Sequence, residues 1–484
     1  MNCIKVYKLI VREVICIANV EGASLDTITT GSRELDFLLG GLRPGTMLLI
    51  VGHPGAGKTT LASKICYANS LLGRRCLYIT FYEDKDRLFY NMERLGIRLG
   101  EVEGKGLLQF VRLPITSAEE IMNTIAELVA KNRYDIVVID SVNAALELCE
   151  RRETQRALLL NFFYQLAQAV NGLLVAVAEL PFGRESLELG AIEFVADAIL
   201  YLKHRSVRGL LSRILELRKA RGTPVSVTEL PFAIVEGEGF KVYLPPRPER
   251  SLGKGDLIHG TLEITKHLLE PVRRGDIVYV SYPPMARTPL VAIPFIDLLA
   301  TNNLRGLFLS YRYSRDESLE ANIAALTRYA GLARDDAVKL LEKYLYIESI
   351  NPTSYSVTHL HAITIELIEK LNPDIVMFHG VEVFNVITDP QEYWSTLINE
   401  MLWLKNRGKL VVRFGSRVVN HWHKMNIALS EKIIYLYYRR RNGKLIPIIY
   451  SWGRGRDPTL LEIDEEVLAK LKEDVKKLIN SSLK

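Results

Sequence analysis

The segment GHPGAGKT, from Gly52 to Thr59, combines the residue types that bind a phosphate group. Its glycines let backbone N–H groups surround a phosphate, and the helix expected to follow directs its positive end at the same place. Lys58 can reach the outer phosphate oxygens, and the Thr59 hydroxyl can bind Mg²⁺. The sequence therefore predicts a nucleotide-binding loop. Its predicted contact residues are Gly52, His53, Pro54, Gly55, Ala56, Gly57, Lys58, Thr59 and Thr60.

Acidic residues at two later positions complete this chemistry. Asp140 ends the apolar run YDIVVID, a place from which a carboxylate can hold the water shell of Mg²⁺, so we predict a metal site made by Thr59 and Asp140. Hydrolysis also requires a group that orients the attacking water. Glu83 and Asp84 both follow the run CLYITFY, and either carboxylate is available for that role.

Short apolar runs must position these side chains. They are MLLIVG, CLYITF, DIVVID and LLVAVA in the first half, and DIVYVS, GLFLSY, DIVMFH and KLVVRF in the second. Continuously apolar strands that alternate with helical segments are typical of a parallel sheet covered on both faces. The predicted fold class is therefore α/β, with two tandem domains, each a mostly parallel sheet flanked by helices.

An internal repeat relates the two halves. Gly31 aligns with Gly260 and Lys58 aligns with Arg287, at a constant offset of 229 residues. The intervening YLPPRPERSLGKGD is rich in Pro, Gly and charge, which is typical of a linker.

The C-terminal segment has the spacing of an amphipathic helix, and we expect it to pack on its own domain or, alternatively, on a neighbouring subunit. The predicted divisions are an N-terminal extension (1–27), a first domain (28–242), a linker (243–256), a second domain (257–457) and the C-terminal helix (458–484).

The loop of the second copy, SYPPMART, has lost the features of a phosphate cradle. Pro283 and Pro284 remove backbone donors, and side chains stand where glycine is needed. Arg287 occupies the position of the lysine. We interpret the loop as a relic kept for its strand and helix. In the alternative interpretation, Arg287 and Arg312 bind a different anion.

The acidic positions are also lost in the second copy. His379 stands where the first copy has Asp140, and the run LFLSYRYS has no acid at the position of Glu83. A metal and an attacking water would both lack a carboxylate there. The sequence therefore predicts that the second domain is non-catalytic.

Composition narrows the class of protein. The chain has 484 residues, of which 48% are hydrophobic, enough for two packed cores. Its 62 basic and 56 acidic residues give a net charge of +6, too even a balance for a protein that neutralises many nucleic-acid phosphates, so a nucleic-acid partner is allowed but not implied. Five scattered cysteines without CxxC spacing indicate reduced thiols and a cytoplasmic location. Charges interrupt the apolar N-terminus, so no membrane span is predicted.

Several of these segments together resemble the KaiC branch of the RecA-like ATPases: TGSRELDFLLGGLRPGTMLLIVGHPGAGKTTLA, LYITFYED, IVVIDSVNAAL, AIEFVADAILYL and LELRKARGTP. The resemblance covers roughly residues 28–242 and, more weakly, 258–457. It implies two RecA-like cores, ATP and Mg²⁺ as ligands, nucleotide held between subunits and often a ring of six. In that family the segment matching RKARGT reaches the neighbour's γ-phosphate, so Lys219 and Arg221 become candidate catalytic cations. The plan of an active first lobe and a degraded second lobe also resembles the archaeal gas-vesicle regulator GvpD.

One departure from the family pattern bears on activity. Where the family usually carries paired acids in a TFEE-like run, this chain has Tyr82 at the first acid, which leaves Glu83 as the candidate water-positioning residue. Two hypotheses stay open: a slow ATPase or ATP-driven switch, and a nucleotide-sensing regulator that does not hydrolyse and acts through a protein partner. A DNA recombinase is disfavoured because the segment PFGRESLELGAIE is short and acidic where DNA-binding loops would be needed.

Overall fold

The computed structural model describes most of the chain, and its contacts divide the chain into two compact units, residues 1–244 and 245–484. The predicted N-terminal extension, most of the linker, and Met285 to Thr288 lie outside the described residues. The described ranges are 28–144, 152–170, 172–181, 192–207, 209–223, 229–244, 255–284, 289–388, 390–441, 443–454 and 456–482.

A single sheet runs through the first unit. In the described residues its order is β3-β2-β4-β5-β1-β6-β7-β8-β9; the strands from β3 to β6 are parallel, and β7, β8 and β9 continue the sheet in antiparallel pairs. The strands are β1 (Thr46–Gly52), β2 (Cys76–Thr80), β3 (Leu108–Arg112), β4 (Ile136–Asp140), β5 (Leu173–Glu179), β6 (Ala198–Val207), β7 (Leu210–Ala220), β8 (Glu229–Val235) and β9 (Gly239–Val242).

Helices cover both faces of this sheet. Alternate residues of β1 point to opposite faces, and both sets are buried. Leu48 and Ile50 belong to one apolar core, and Leu49 and Val51 belong to another on the opposite face. A strand buried on both sides must be apolar throughout, which is why MLLIVG has no polar alternation. The helices are α1 (Arg33–Leu39), α2 (Lys58–Leu71), α3 (Lys85–Arg94), α4 (Leu99–Gly104), α5 (Ala118–Lys131), α6 (Arg152–Val170) and α7 (Ile192–Val195).

The second unit repeats this topology. Its larger sheet has the order β14-β13-β15-β16-β12-β17-β18-β19, which matches the first sheet from β3 to β8. The strands are β10 (Leu257–Ile258), β11 (Val272–Arg273), β12 (Ile277–Tyr282), β13 (Gly306–Ser310), β14 (Leu345–Ser349), β15 (Ile375–His379), β16 (Leu410–Ser416), β17 (Lys432–Arg441), β18 (Lys444–Gly453) and β19 (Arg456–Glu462). All eight apolar runs named above become strands, and the α/β prediction of two sheet domains is confirmed.

The helices of the second unit complete the layers. They are α8 (Glu263–Leu269), α9 (Ile293–Thr301), α10 (Arg315–Arg328), α11 (Arg334–Tyr344), α12 (Val357–Leu371), α13 (Phe384–Ile387), α14 (Pro390–Asn406), α15 (Asn420–Ala428) and α16 (Glu465–Ser482). The last of these buries Leu471, Val475 and Leu478 in the core of its own unit. Strand β19 runs across residue 457, where the sequence had suggested that the domain ends. Within the described ranges, no helix combines the length and the apolar character that crossing a bilayer requires.

Candidate functional site

The loop between β1 and α2 depends on glycine at its two ends. A Cβ on Gly52 would lie 2.5 Å from the carbonyl oxygen of Leu202, so the loop can leave the sheet only if this side chain is absent. Gly57 caps α2 at φ 101°, a conformation that other residues rarely adopt, and a Cβ there would lie 2.8 Å from Ile234. The backbone of the loop leads directly into the first N–H groups of α2, a 14-residue helix. These N–H groups have no partner within the helix, so the arrangement is suited to binding an anion.

The Lys58 side chain lies across this loop and is 5% exposed. Its ammonium donates to the carbonyl oxygen of His53 at 2.9 Å and lies 3.8 Å from Oε1 of Glu179. Burial lowers the pKa of Lys58, and the carboxylates of Glu179 and Asp140 partly offset that effect. The Lys58 ammonium thus contacts the His53 carbonyl and the Glu179 carboxylate, the kind of oxygen acceptors that the phosphates of a bound nucleotide would also offer.

Thr59 and Asp140 come together although they lie on different elements. Thr59 is in the first turn of α2, Asp140 is the last residue of β4, and the Thr59 hydroxyl donates to Oδ2 of Asp140 at 2.8 Å. Burial raises the pKa of Asp140, while hydrogen bonds from Thr59 and Tyr78 lower it. Hard oxygen donors on two rigid elements fit Mg²⁺, which prefers few protein ligands and keeps several waters.

The ring of the loop histidine, His53, contacts two neighbouring strands of the sheet. Its Nδ1 lies 3.2 Å from the carbonyl oxygen of Leu180, and its Nε2 lies 3.5 Å from the hydroxyl of Tyr201. These contacts tie the His53 ring to the end of β5 and to β6. Its backbone carbonyl accepts a hydrogen bond from the side chain of Lys58.

The two acids after β2 have different surroundings. The Asp84 carboxylate accepts hydrogen bonds from the backbone N–H groups of Asp86 and Arg87 and caps α3. Glu83 is half-buried, and its backbone N–H donates to the Thr80 hydroxyl at 3.2 Å. Because Asp84 is engaged in a helix cap, the structure favours Glu83 as the acid available for chemistry.

The position of Glu83 in the sheet is consistent with a role near the phosphate end of a nucleotide. Thr80 pairs with Asp140, so Glu83 projects from the same carboxyl edge of the sheet as Asp140. The order β2-β4-β5-β1 places its strand three strands from the loop, or about 14 Å. The contact of Thr59 with Asp140 brings the start of α2 to the end of β4, which is the strand next to β2.

Lys219 and Arg221 lie away from the loop of their own domain. In the sheet, Lys219 pairs with Ile199, and Ile199 pairs with Leu49 of β1. The loop begins at Gly52, which is three residues, or about 10 Å, further along β1 than Leu49. The ammonium of Lys219 donates to the carbonyl oxygens of residues 193 and 194, at 2.7 and 3.2 Å. Arg221 forms an ion pair with Asp197 at 3.2 Å and also donates to the carbonyl of residue 194. The structure does not bring these cations together with Lys58.

Two residues at the site were missed by sequence reasoning. Glu179 ends β5 next to Gly52 and faces Lys58, and an acid at the end of a buried strand was the same signal that identified Asp140. Tyr78 lies inside β2, fully buried, and its hydroxyl donates to Oδ2 of Asp140 at 2.9 Å. No sequence signal could assign that contact, because it depends on β2 lying beside β4.

In the second unit, aromatic rings occupy the corresponding place. His379 ends β15, and its ring stacks between Phe308 and Tyr313 with centroid distances of 5.5 and 5.1 Å. Burial lowers the pKa of His379 to about 4, with the positive charge of Arg312 as a smaller cause, so the imidazole is neutral near pH 7. Arg312 itself forms an ion pair with Glu382 at 2.9 Å.

The segment after β12 also differs from its counterpart. Residues Pro289–Ala292 form a 3-10 turn, and α9 begins after it, at Ile293. Helix α2 begins at Lys58, which aligns with Arg287, so α9 begins six residues later than the repeat predicts. Arg287 and its neighbours lie outside the described residues, so the anion-binding alternative rests here on Arg312 alone. The Arg312–Glu382 ion pair already satisfies that guanidinium with a carboxylate.

We expect acid to destabilise the second domain through His379. The unfolded pKa of histidine is about 6.5, and the folded value is about 4. As the pH falls between these values the unfolded chain gains a proton that the folded domain does not bind. The stability present above pH 6.5 is therefore lost on the way to pH 4, by about 3 kcal/mol for a shift of this size.

Urea unfolding of wild type and His379→Phe at pH 7 and pH 4.5 checks this prediction. Phenylalanine keeps a flat ring between Phe308 and Tyr313, so the variant should lose much less stability on acidification. The exposed His421, changed to glutamine, serves as the control and should leave the acid loss unchanged. Equal acid losses in wild type and His379→Phe would contradict the assignment.

The fold and the site together define a class. A parallel sheet carries a glycine-rich loop after one central strand, an acid that ends the strand two positions away, and helices on both faces. This arrangement is similar to that of RecA-like P-loop ATPases, and the second unit repeats the strand order of the first from β3 to β8.

Comparison with known proteins narrows the class to a branch. Residues 28–247 match the family model described as the ATPase KaiC. The chain is 28% identical over 258 residues to circadian clock protein KaiC2 of Synechocystis sp., covering 51% of this chain and 43% of the relative. It is 22% identical to KaiC3 of the same organism over 91% of this chain and 90% of the relative. It is 26% identical to the circadian clock oscillator protein KaiC of Thermostichus vulcanus, over 40% of this chain and 38% of the relative. The first domain is accordingly KaiC-like, and two of these three matches span less than half of the relative's length.

Proposed function

We propose that this protein binds Mg·ATP in its first domain and acts as a slow ATPase or ATP-driven switch. Lys58 holds the β- and γ-phosphates, and Thr59 and Asp140 hold the metal, which when bound neutralises the phosphate charge. Glu83 orients the attacking water. The observation that carries the proposal is the 2.8 Å contact of Thr59 with Asp140 beside the buried ammonium of Lys58.

Steady-state phosphate release by the purified protein tests this function. It is measured with Mg·ATP, next to a thermal-shift titration of ATP on the same sample. Release together with stabilisation supports an ATPase. If ATP neither stabilises the protein nor is hydrolysed, the proposed function is wrong.

The second domain takes no part in this chemistry in our proposal. A neutral histidine stacked between two rings offers neither the charge nor the space that Asp140 offers in the first domain. Pro283 lacks the N–H that a phosphate cradle would use. We infer that this domain supports assembly or the binding of a protein partner.

Nucleotide stoichiometry provides a direct check on this division of labour. We expect Arg287→Ala to bind one ATP per chain, as the wild type does, because the second loop contributes no site. Isothermal titration calorimetry measures the number. Lys58→Ala is the matched variant from the first loop and should reduce it from one to zero. A wild-type value of two that falls to one in Arg287→Ala would overturn the relic interpretation.

We propose assembly into a homo-oligomer, such as a ring of six, and the location of Lys219 and Arg221 supports it. Their side chains lie about 10 Å along the sheet from the level of their own loop. Cations so placed can assist hydrolysis only at the site of another subunit. Arg221 suits that role through its permanent charge and its fork of donors, which can stabilise charge that develops on the γ-phosphate.

A second candidate function is a nucleotide-sensing regulator that does not hydrolyse ATP, similar in plan to GvpD. Tyr82 favours it, because this side chain is 56% exposed where the family usually carries an acid. ATP would then act as a conformational ligand with a protein partner as its output. Stabilisation by ATP without phosphate release would select this function over the ATPase.

A further inference from the structure

Tyr78 has an unusual place for a polar side chain. It lies in the middle of β2, is fully buried, and stacks on Phe110 with a centroid distance of 5.8 Å. A tyrosine hydroxyl is protonated at neutral pH and can therefore act as a donor. That donor is directed at Asp140, on the neighbouring strand β4.

The strand register explains how the two side chains meet. Thr80 pairs with Asp140, and Tyr78, two residues earlier, points to the same face of the sheet. This is also the face on which α2 packs. The Asp140 carboxylate is therefore contacted from the helix by Thr59 and from the sheet by Tyr78.

Both contacts fall on one oxygen of the carboxylate. The Thr59 hydroxyl donates to Oδ2 at 2.8 Å and the Tyr78 hydroxyl donates to the same atom at 2.9 Å. Among the described residues, Oδ1 accepts no hydrogen bond. The carboxylate is thus fixed at one oxygen and has the other available, and Thr59 keeps lone pairs for a metal while its proton is engaged.

We propose that Tyr78 is the positioning residue of the Mg²⁺ site, holding Asp140 so that its second oxygen is presented to the metal or to a metal-bound water. This inference rests on the proposed function, since it assumes that Mg·ATP binds at Lys58 and Thr59. Groups that orient a metal ligand from behind typically change metal affinity about 10- to 100-fold when they are removed. The alternative is that Asp140 merely satisfies a buried hydroxyl that needs a partner.

The test is the Mg²⁺ dependence of ATP stabilisation in Tyr78→Phe. Phenylalanine keeps the ring and its stacking on Phe110, so only the donor is removed. Thermal unfolding is recorded at saturating ATP while Mg²⁺ is titrated, and again with ATP and EDTA. We expect the half-saturating Mg²⁺ concentration to rise by about 10-fold or more, with the ATP shift in EDTA unchanged.

A matched variant controls for the loss of a buried tyrosine hydroxyl in the same domain. Tyr134 is also buried, and its hydroxyl donates to Gln109, but it precedes β4 and so lies at the opposite edge of the sheet from Asp140. Tyr134→Phe should leave the Mg²⁺ midpoint at the wild-type value. A general loss of stability would lower the unfolding temperature of both variants without moving that midpoint.

A double-mutant cycle separates positioning from a structural role. If Tyr78 acts through Asp140, Tyr78→Phe should have no further effect on the Mg²⁺ midpoint in an Asp140→Asn background. A wild-type midpoint in Tyr78→Phe, or independent effects in the cycle, would overturn the positioning role and leave the proposed function intact. A wild-type protein that does not respond to Mg·ATP would overturn both.

Discussion

We expect the replacement of Lys58 with alanine to abolish the stabilisation that ATP gives the wild-type protein. Nucleotide at 100 times its dissociation constant adds about 2.7 kcal/mol to the free energy of unfolding of the domain that binds it. The variant should lose this whole increment, because the ammonium is the only side-chain cation of the loop segment from Gly52 to Thr60. Thermal unfolding with and without Mg·ATP measures the difference.

The nucleotide-free variant should remain folded. The Lys58 ammonium contacts the His53 carbonyl and Glu179, and Glu179 is 52% exposed, so water can solvate its carboxylate after the change. Lys64→Ala is a matched control from the same helix. Its ammonium donates to the carbonyl of Phe240 at 2.6 Å, away from the loop, and its removal should preserve the ATP response. An intact response in Lys58→Ala would refute the site assignment.

The second large effect is expected in Glu83→Gln. Glutamine keeps the size of the side chain but cannot orient or deprotonate water as a carboxylate does, so phosphate release should fall by about 100-fold or more. Stabilisation by ATP should persist, since Glu83 is not among the residues that hold the phosphates. The measurement is phosphate release at saturating Mg·ATP, run beside thermal unfolding of the same samples.

Asp84→Asn controls for charge at this edge of the sheet. Asparagine caps a helix as well as aspartate does, so α3 should be retained and phosphate release should stay near the wild-type rate. If release were unchanged in Glu83→Gln, the acid would have to be sought elsewhere, and Glu179 is the next by position. Release that is absent even in the wild type, with stabilisation by ATP present, would favour the nucleotide-sensing function.

The strands of both domains could be predicted because their burial leaves a direct mark on the sequence. DIVVID and DIVMFH are apolar at successive positions, a pattern that only a strand covered on both faces requires. The order of strands within the sheet leaves no comparable mark. Contacts that depend on that order were therefore not predictable, and the Tyr78 hydroxyl on Asp140 is one of them. Glu179 carried the signal of an acid at the end of an apolar strand, but that signal does not indicate that the carboxylate faces Lys58.

In the second domain, too, the lost residues could be predicted from the sequence but the contacts that replace them could not. The replacement of an aspartate by His379 was evident from the repeat, and so was the loss of glycine from the loop. The sequence could not indicate that the histidine ring would stack between Phe308 and Tyr313, because those residues lie about 70 positions earlier in the chain. The late start of α9 was equally hidden, since the apolar residues of that helix continue before it, from Leu290 to Ala292.

Under the proposed function, the contacts of Lys58 with its own chain would affect how long a nucleotide stays bound. As phosphates depart, the ammonium can return to the His53 carbonyl and the Glu179 carboxylate, so it exchanges one set of acceptors for another. A lysine without such acceptors would be left as a bare charge in a buried loop, which is costly and would oppose release. Under the proposed function, Glu179 would act as an internal competitor that shortens the residence time of the product, and turnover would be governed partly by a side chain that forms no part of the phosphate cradle.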